Sequence, residues 1–431
     1  MADDRQDSAI SGRIRDYMPR LADGELAERL RATGAVLIEG ARGCGKTQTA
    51  LRAARSAVRL DRDRAARAAG TLDPTLLLAG EHPRLIDEWQ LVPDVWNEVR
   101  GDVDDHPDRV GRFILTGSAV PDDDATRHTG AMRFTRLRMR PMSLAESGHS
   151  SGDVSLAALF AGEEPHAPDP GLGIRDIAER IVVGGWPALI HRDPPDALIE
   201  TRGYLDETRR VDLQRLDGVR RDPENVARVL RSLARNTATE ASARTIATDA
   251  AGFDGRVDYH TVIGYVDALS RVFVVENQPA WAPGLRSRSV LRGTPKRHFV
   301  DPSLAAAALD ATPIRLLDDP ETLGLLFESL VARDLRIYGQ AIGASLFHYR
   351  ENTGLEVDAI LERRDGSWAG LEVKLGQQEI DDGAASLLRL ARRVDADRHG
   401  DPAFLAVVTG WGFAYRRSDG VFVVPIGSLA A

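Results

Sequence analysis

The strongest constraint on the fold is the run Gly40-Ala41-Arg42-Gly43-Cys44-Gly45-Lys46-Thr47, which follows the apolar segment Ala35-Val36-Leu37-Ile38 and leads into residues with helical spacing. It fits the pattern G-x-x-x-x-G-K-[ST] and stands between a predicted buried strand and a predicted helix, the context in which that pattern binds phosphate. Gly40 opens the loop. Gly43 and Gly45 let backbone N–H groups turn inward around phosphate oxygens, and the helix start adds the positive end of its dipole. Lys46 then reaches the outer phosphates and Thr47 ligates Mg2+. Cys44 reads as a small loop residue, with redox sensing as the alternative because loop N–H groups lower a thiol pKa.

A strand, loop and helix in this order require further parallel strands. Leu76-Leu77-Leu78, Leu85-Ile86 and Phe113-Ile114-Leu115 are the candidates, separated by segments long enough for crossover helices. Helical spacing over 46–69 places Arg52, Arg55, Arg59 and Arg62 on one face, read as solvated, with a nucleic-acid face as the alternative. The segment Leu85-Ile86-Asp87-Glu88 supplies the second acidic element: Asp87 for the metal-bound water and Glu88 as the base for the attacking water. Thr116 and Ser118, at the end of the next strand, lie where polar side chains sense a γ-phosphate. A surface acidic pair and a simple Thr-Gly-Ser turn are the plainer readings.

At 431 residues the chain is expected to hold two to four domains. Its formal charge of -9 argues against a globally electrostatic nucleic-acid binder, so any DNA contact must come from a local patch. The polar first 20 residues and the lack of any run of about 20 apolar residues argue against secretion and membrane spanning. A single cysteine rules out an intramolecular disulfide and a cysteine-based zinc site, so a cytoplasmic location is expected. Lysine is scarce: three among 56 cationic residues. Lys46 and Lys374 fall in reactive motifs, where a compact ammonium is not interchangeable with guanidinium. Lys296 has neither a motif nor a carboxylate cluster beside it in sequence.

Residues 149–173 collect Gly, Ser, Pro and acidic residues and read as a linker or long loop. Helical spacing at 225–236, 244–251 and 261–270 precedes the strand candidate Val272-Phe273-Val274-Val275. That is the plan of a winged helix, whose third helix enters a DNA major groove; a helical lid is the equal alternative. In the last part, Phe327, Leu330, Val331 and Leu335 form a helical stripe, followed by strands at 355–361 and 368–375, a helix at 384–393, and strands at 404–408 and 421–424. Asp301 reads as a helix cap before Ser303.

Glu328 on the striped helix, Asp358 on the next strand and Glu372-Val373-Lys374 on the following one resemble, in order and spacing, the PD-(D/E)xK nucleases. Alternation puts Glu372 and Lys374 on one sheet face and Val373 on the other. Asp358 and Glu372 would repel unless a divalent cation or a shared proton intervened. In the nuclease reading Glu328, Asp358 and Glu372 hold Mg2+, and Lys374 orients or deprotonates the attacking water. A chance Glu-x-Lys, or a nuclease-like fold kept for binding, is the competing reading.

The phosphate loop, with Asp87-Glu88-Trp89-Gln90, Leu115-Thr116-Gly117-Ser118 and Arg140-Pro141-Met142-Ser143-Leu144-Ala145-Glu146, resembles a prokaryotic family of AAA-type ATPases. Gly184-Gly185-Trp186-Pro187 and Tyr265-Val266-Asp267-Ala268-Leu269 look like that family's middle segments. The resemblance implies an α/β chain: an AAA-type P-loop NTPase domain, a helical or winged-helix middle region and a restriction-endonuclease-like α/β domain. The corresponding boundaries are 1–33, 34–148, 149–173, 174–296 and 297–431. It also implies ATP binding; Mg2+ is expected as a cofactor from Thr47, Asp87 and the C-terminal carboxylates, and DNA as a partner from the winged-helix-like region and the last domain. An AAA-type motif is compatible with a homo-oligomer and does not by itself specify a ring. No arginine finger stands out; Arg127 and Arg133 are the nearest guesses. The expected function is ATP binding and hydrolysis coupled to a Mg2+-dependent nuclease-like domain acting on DNA. The alternative is an ATP-dependent regulatory switch whose last domain does not cleave.

Overall fold

A computed structural model describes residues 17–117, 130–251, 257–283, 293–351 and 354–431. The chain divides into two compact units. The first is Met1–Pro141 with Arg215–Val219 and Arg271–Phe273, and the second is the remainder.

In the first unit β1 (Ala35–Gly40), β2 (Ser56–Arg59), β3 (Arg84–Asp87), β4 (Phe113–Gly117) and β5 (Phe134–Met139) form a sheet in the order β2-β3-β4-β1-β5. Every pairing is parallel, as the spacing of the apolar runs predicts. The helices Lys46–Ala53, Arg64–Leu72 and Val95–Asp105 lie in the connections. Leu37, Ile86, Trp89, Trp96, Phe113 and Leu115 belong to the core on the sheet, and Trp96 stacks on Phe134 with ring centroids 4.0 Å apart.

Two expectations fail here. Leu76-Leu77-Leu78 is not a strand: Asp73 caps a 3-10 turn at Pro74–Leu77, because an Asp-Pro step starts turns and the aspartate accepts the Thr75 N–H. The helical stretch 46–69 is broken. Its first helix ends at Ala53, the chain extends through β2, and Asp63 starts a new helix by accepting the Ala66 N–H. Arg52, Arg55, Arg59 and Arg62 therefore share no helical face, and Arg59 sits on a strand.

In the second unit, residues 149–173 carry β6 (Val154–Ser155) and the helix Leu156–Phe160. Helices Pro223–Arg235, Ala243–Ala251 and Tyr259–Arg271 follow the expected periodicity. The next strand is β7 (Val275–Gln278), three residues later than expected. Phe273 takes a φ of 61°, and the Val274 N–H still bonds back to Leu269 O at 2.9 Å, so the chain is turning where extension was expected. β7 pairs antiparallel with β8 (Lys296–Phe299).

The 22-residue helix Pro320–Ala341 then packs on a six-stranded sheet. Its strands are β9 (Ala344–Arg350), β10 (Glu356–Arg363), β11 (Trp368–Lys374), β12 (Phe404–Thr409), β13 (Tyr415–Arg416) and β14 (Phe422–Pro425), in the order β13-β14-β12-β11-β10-β9. β9, β10 and β11 form an antiparallel meander, and the helix Ile380–Arg393 carries the chain over to β12, parallel to β11. β15 (Leu429–Ala430) pairs with β6. The stripe Phe327, Leu330, Val331 and Leu335 is buried as expected. One extra residue on β10 between Val357 and Ile360 makes a bulge against β9.

Asp301 caps the helix Pro302–Ala308 through the Ser303 N–H at 3.0 Å, as read from sequence. It also accepts the Gly185 N–H at 3.0 Å and Arg333 Nη1 at 2.9 Å. Arg333 Nη2 lies 2.7 Å from Asp334, which accepts the Leu144 N–H at 3.0 Å. All three charged side chains are buried. Among the described residues no helix is long and apolar enough to cross a membrane.

Candidate functional site

At the carboxyl end of β1 the chain turns at Gly40, where a Cβ would stand 2.0 Å from Met139 O. Gly43 and Gly45 have φ of 79° and 104°, left-handed values that glycine tolerates at little cost. The helix begins at Lys46 with Gly45 as its N-cap. Lys46 is buried, and its ammonium donates to Gly40 O and Ala41 O, both at 2.9 Å. Cys44 is buried, with Sγ 3.7 Å from Met139 O, as suits a small loop residue.

Parallel register sets the rest of the site. Arg59 on β2, Asp87 on β3 and Thr116 on β4 stand in one row, at the strand ends where open α/β sheets bind ligands. The Asp87 carboxylate, 1% exposed, accepts Thr47 Oγ1 at 2.8 Å and the Thr116 hydroxyl on Oδ1, and Arg59 Nε at 3.1 Å on Oδ2. The Thr47 hydroxyl and the Asp87 carboxylate are thus neighbouring hard-oxygen donors, a set that suits Mg2+ retaining several waters. Glu88 follows with a φ of 57°, and burial raises its pKa against the opposing pull of Lys46. Gln90 Nε2 donates to its carboxyl.

Arg20 was not singled out from sequence, and Arg59 was read only as part of a solvated helical face. Arg20 donates to Cys44 O and Arg140 O, both at 2.8 Å, bracing the loop from behind. For Arg59 the missed signal was the Ser-Ala-Val-Arg strand, four residues absorbed into a helical pattern. Ser118 and Arg127 lie outside the described residues. Arg133 Nε pairs with Asp104 at 2.6 Å.

In the second unit, the β10–β11 ladder ends at Ala359↔Leu371, so Asp358 and Glu372 meet one step beyond it and interact directly. Lys374 Nζ lies 3.0 Å from Glu372. The Val373 N–H donates to Asp358 Oδ2 at 3.0 Å. The sequence reading of Lys296 as a cation without carboxylate partners is wrong. Its Nζ lies 2.8 Å from Glu328, 3.0 Å from Asp358 and 3.2 Å from Glu356. Nothing local signals this, because the partners are 32 to 62 positions away.

Burial, and then Asp358, pushes Glu328 up to about 8 and Glu372 up to about 9. Burial works against the charge of Lys296 and Lys374, yet the surrounding carboxylates hold both pKa values above the ordinary lysine value. Burial also opposes the Asp358 charge, but Lys296 and Lys374 keep its carboxyl below the usual range. The raised pKa of Lys374 favours its charged form, the form that orients a water rather than the one that deprotonates it. The donor set does not fit a divalent ion as it stands: Lys296 Nζ already lies between Glu328 and Asp358 at 2.8 and 3.0 Å, where such an ion would have to sit. Among the described residues no group of three or more His, Cys, Asp or Glu is arranged to hold a metal ion.

A family described as an AAA domain matches residues 32–148, and two domains of unknown function, DUF8612 and DUF4143, match residues 174–315 and 323–429. Residues 32–148 thus form an AAA-type P-loop domain. Among solved structures, the Walker-type ATPase PABY2304 of Pyrococcus abyssi is similar at TM-score 0.41 and 13% identity, over 68% of this chain and 96% of that one. A point variant of RuvB from Thermotoga maritima is similar at TM-score 0.24 and 16% identity, over 60% and 89%. No curated protein matches the chain.

Proposed function

We propose that the chain is a cytoplasmic ATP-binding and ATP-hydrolysing switch whose second unit contacts DNA without cutting it. The observation that carries the ATPase part is the meeting of Thr47, Asp87 and Thr116 beside the buried Lys46. Lys46 exchanges the carbonyls of Gly40 and Ala41 for the outer phosphate oxygens of ATP, while the loop amides around Gly43, Cys44 and Gly45 hold the inner ones. Thr47 and Asp87 would hold Mg2+, which would supply neutralisation of charge on the phosphates. Glu88, whose pKa burial raises above the ordinary carboxylate value, accepts the proton of the attacking water. Thr116, at the end of β4 beside Asp87, senses the γ-phosphate.

The DNA-contact part draws support from the three helices before the antiparallel β7–β8 pair, the plan of a winged helix. The meander and crossover of the last sheet support a nuclease-like fold. The second reading, a Mg2+-dependent nuclease using Glu328, Asp358, Glu372 and Lys374, is favoured by the convergence of Asp358, Glu372 and Lys374 on one face. Lys296 bound to two of the expected ligands weighs for the non-cleaving module.

The test is Lys46→Ala: the variant stays folded and loses ATP turnover, and unchanged hydrolysis would sink the ATPase reading. Wild-type protein with ATP and Mg2+ is expected to leave single-stranded, duplex and branched DNA uncut. Cleavage abolished by Lys374→Ala would instead establish the nuclease.

A further inference from the structure

Lys296 opens β8 and reaches the helix Pro320–Ala341 at Glu328 and β10 at Glu356 and Asp358. An ammonium has three protons to donate, and three carboxylates stand within 3.2 Å of this one. These are ammonium distances; Mg2+ would demand oxygens at about 2.0–2.1 Å in near-octahedral array. The side chain is 2% exposed, so its charge is tolerated only because the acceptors surround it.

Its placement is also braced by neutral bonds. Two residues along β8, His298 hydrogen-bonds Ser329 Oγ at 3.1 Å and Gln278 Oε1 at 2.8 Å. The same Gln278 donates through Nε2 to Asp358 O and Phe347 O, both at 2.8 Å. Strand β8 is thereby pinned to the helix that carries Glu328 and, through Gln278, to the strand that carries Asp358. A lysine that merely found a carboxylate at the surface would have no such support on both sides.

We infer that Lys296 is the resident cation of this cluster: its ammonium takes the place of a divalent ion between Glu328 and Asp358, and removing it turns the cluster into a divalent-cation site. The inference goes beyond the ATPase reading and does not depend on it.

The experiment is a Mn2+ titration of the full chain without nucleotide, followed by calorimetry and by the electron-paramagnetic signal of free Mn2+. Wild type and Asp358→Asn are expected to bind Mn2+ alike. Lys296→Met is expected to gain one further equivalent, bound at least tenfold more tightly than any ion on wild type, and to lose it in Lys296→Met/Asp358→Asn. Its melting temperature rises with Mn2+ more than that of wild type or of Lys296→Met/Asp358→Asn. Should Lys296→Met fail to fold with its carboxylates unpaired, Lys296→Met/Glu356→Gln removes one of the repelling charges and takes its place. Wild-type Mn2+ binding that Asp358→Asn abolishes would overturn the inference, as would a folded variant lacking Lys296 with no added equivalent. All arms omit nucleotide, so failure of the ATPase assignment leaves the outcome unchanged.

Discussion

Replacing Arg333 by methionine keeps most of the stem volume and removes the one cation between Asp301 and Asp334. Both carboxylates are 0% exposed, and the guanidinium contacts them at 2.9 and 2.7 Å. Breaking one buried pair in this way costs about 3–5 kcal/mol. Two carboxylates are stranded here, but each keeps amide donors: Ser303 and Gly185 N–H on Asp301, Leu144 N–H on Asp334. The expected loss is therefore about 4–5 kcal/mol, against a typical domain stability of about 5–15 kcal/mol. A pH signature accompanies it. Burial already pushes the Asp334 carboxyl up, with Arg333 pulling it back. Without Arg333 the folded variant binds more protons than its unfolded chain above the usual carboxylate pKa, so it regains stability as pH falls. Urea unfolding is the assay, with fluorescence of Trp186 as local reporter because its Nε1 bonds Ser303 Oγ at 2.9 Å. Arg333→Met/Asp301→Asn/Asp334→Asn should recover much of the loss, since no buried charge is left unpaired. A loss below about 1 kcal/mol at about pH 7.5, or one independent of pH, would refute the reasoning.

Glu88→Gln should retain ATP binding while hydrolysis falls by about 10²–10⁴-fold, the usual contribution of a positioned base; steady-state turnover with parallel nucleotide-binding measurements checks it. His348 is buried, and burial first, then the charge of Lys296, lowers its pKa to about 4. Unfolded histidine titrates near about 6.5, so the unfolded state binds the extra proton between those values and stability falls as pH drops through that window, by up to about 3 kcal/mol. Urea unfolding at about pH 7.5 and about pH 4.5 should show the acid step in wild type and a smaller one in His348→Gln.

The phosphate loop was legible because it is local: an apolar run, glycines at fixed offsets and a helix start lie within about 20 residues. The same holds for the Asp301 cap and the striped helix with Phe327 and Leu335. Leu76 misled because an apolar triplet has no intrinsic period and Asp73-Pro74 outweighed it. β2 was missed because Arg55, Arg59 and Arg62 happen to match a helical repeat across a break. Lys296 was illegible for a different reason. Its partners come from a helix and a strand whose approach depends on tertiary packing, and a motif scan rewards neighbours in sequence rather than neighbours in space.

The bulge in β10 has a consequence for how this domain can change. Strand faces alternate with a period of two, so the extra residue between Val357 and Ile360 resets which side chains face the helix. Only Asp358 and Ala359 stand between Val357 and Ile360, so a deletion of one residue there restores an even count against β9 by removing one of these two. The carboxylate that Asp358 offers to Lys296 thus comes from the one step where β10 departs from a regular ladder with β9.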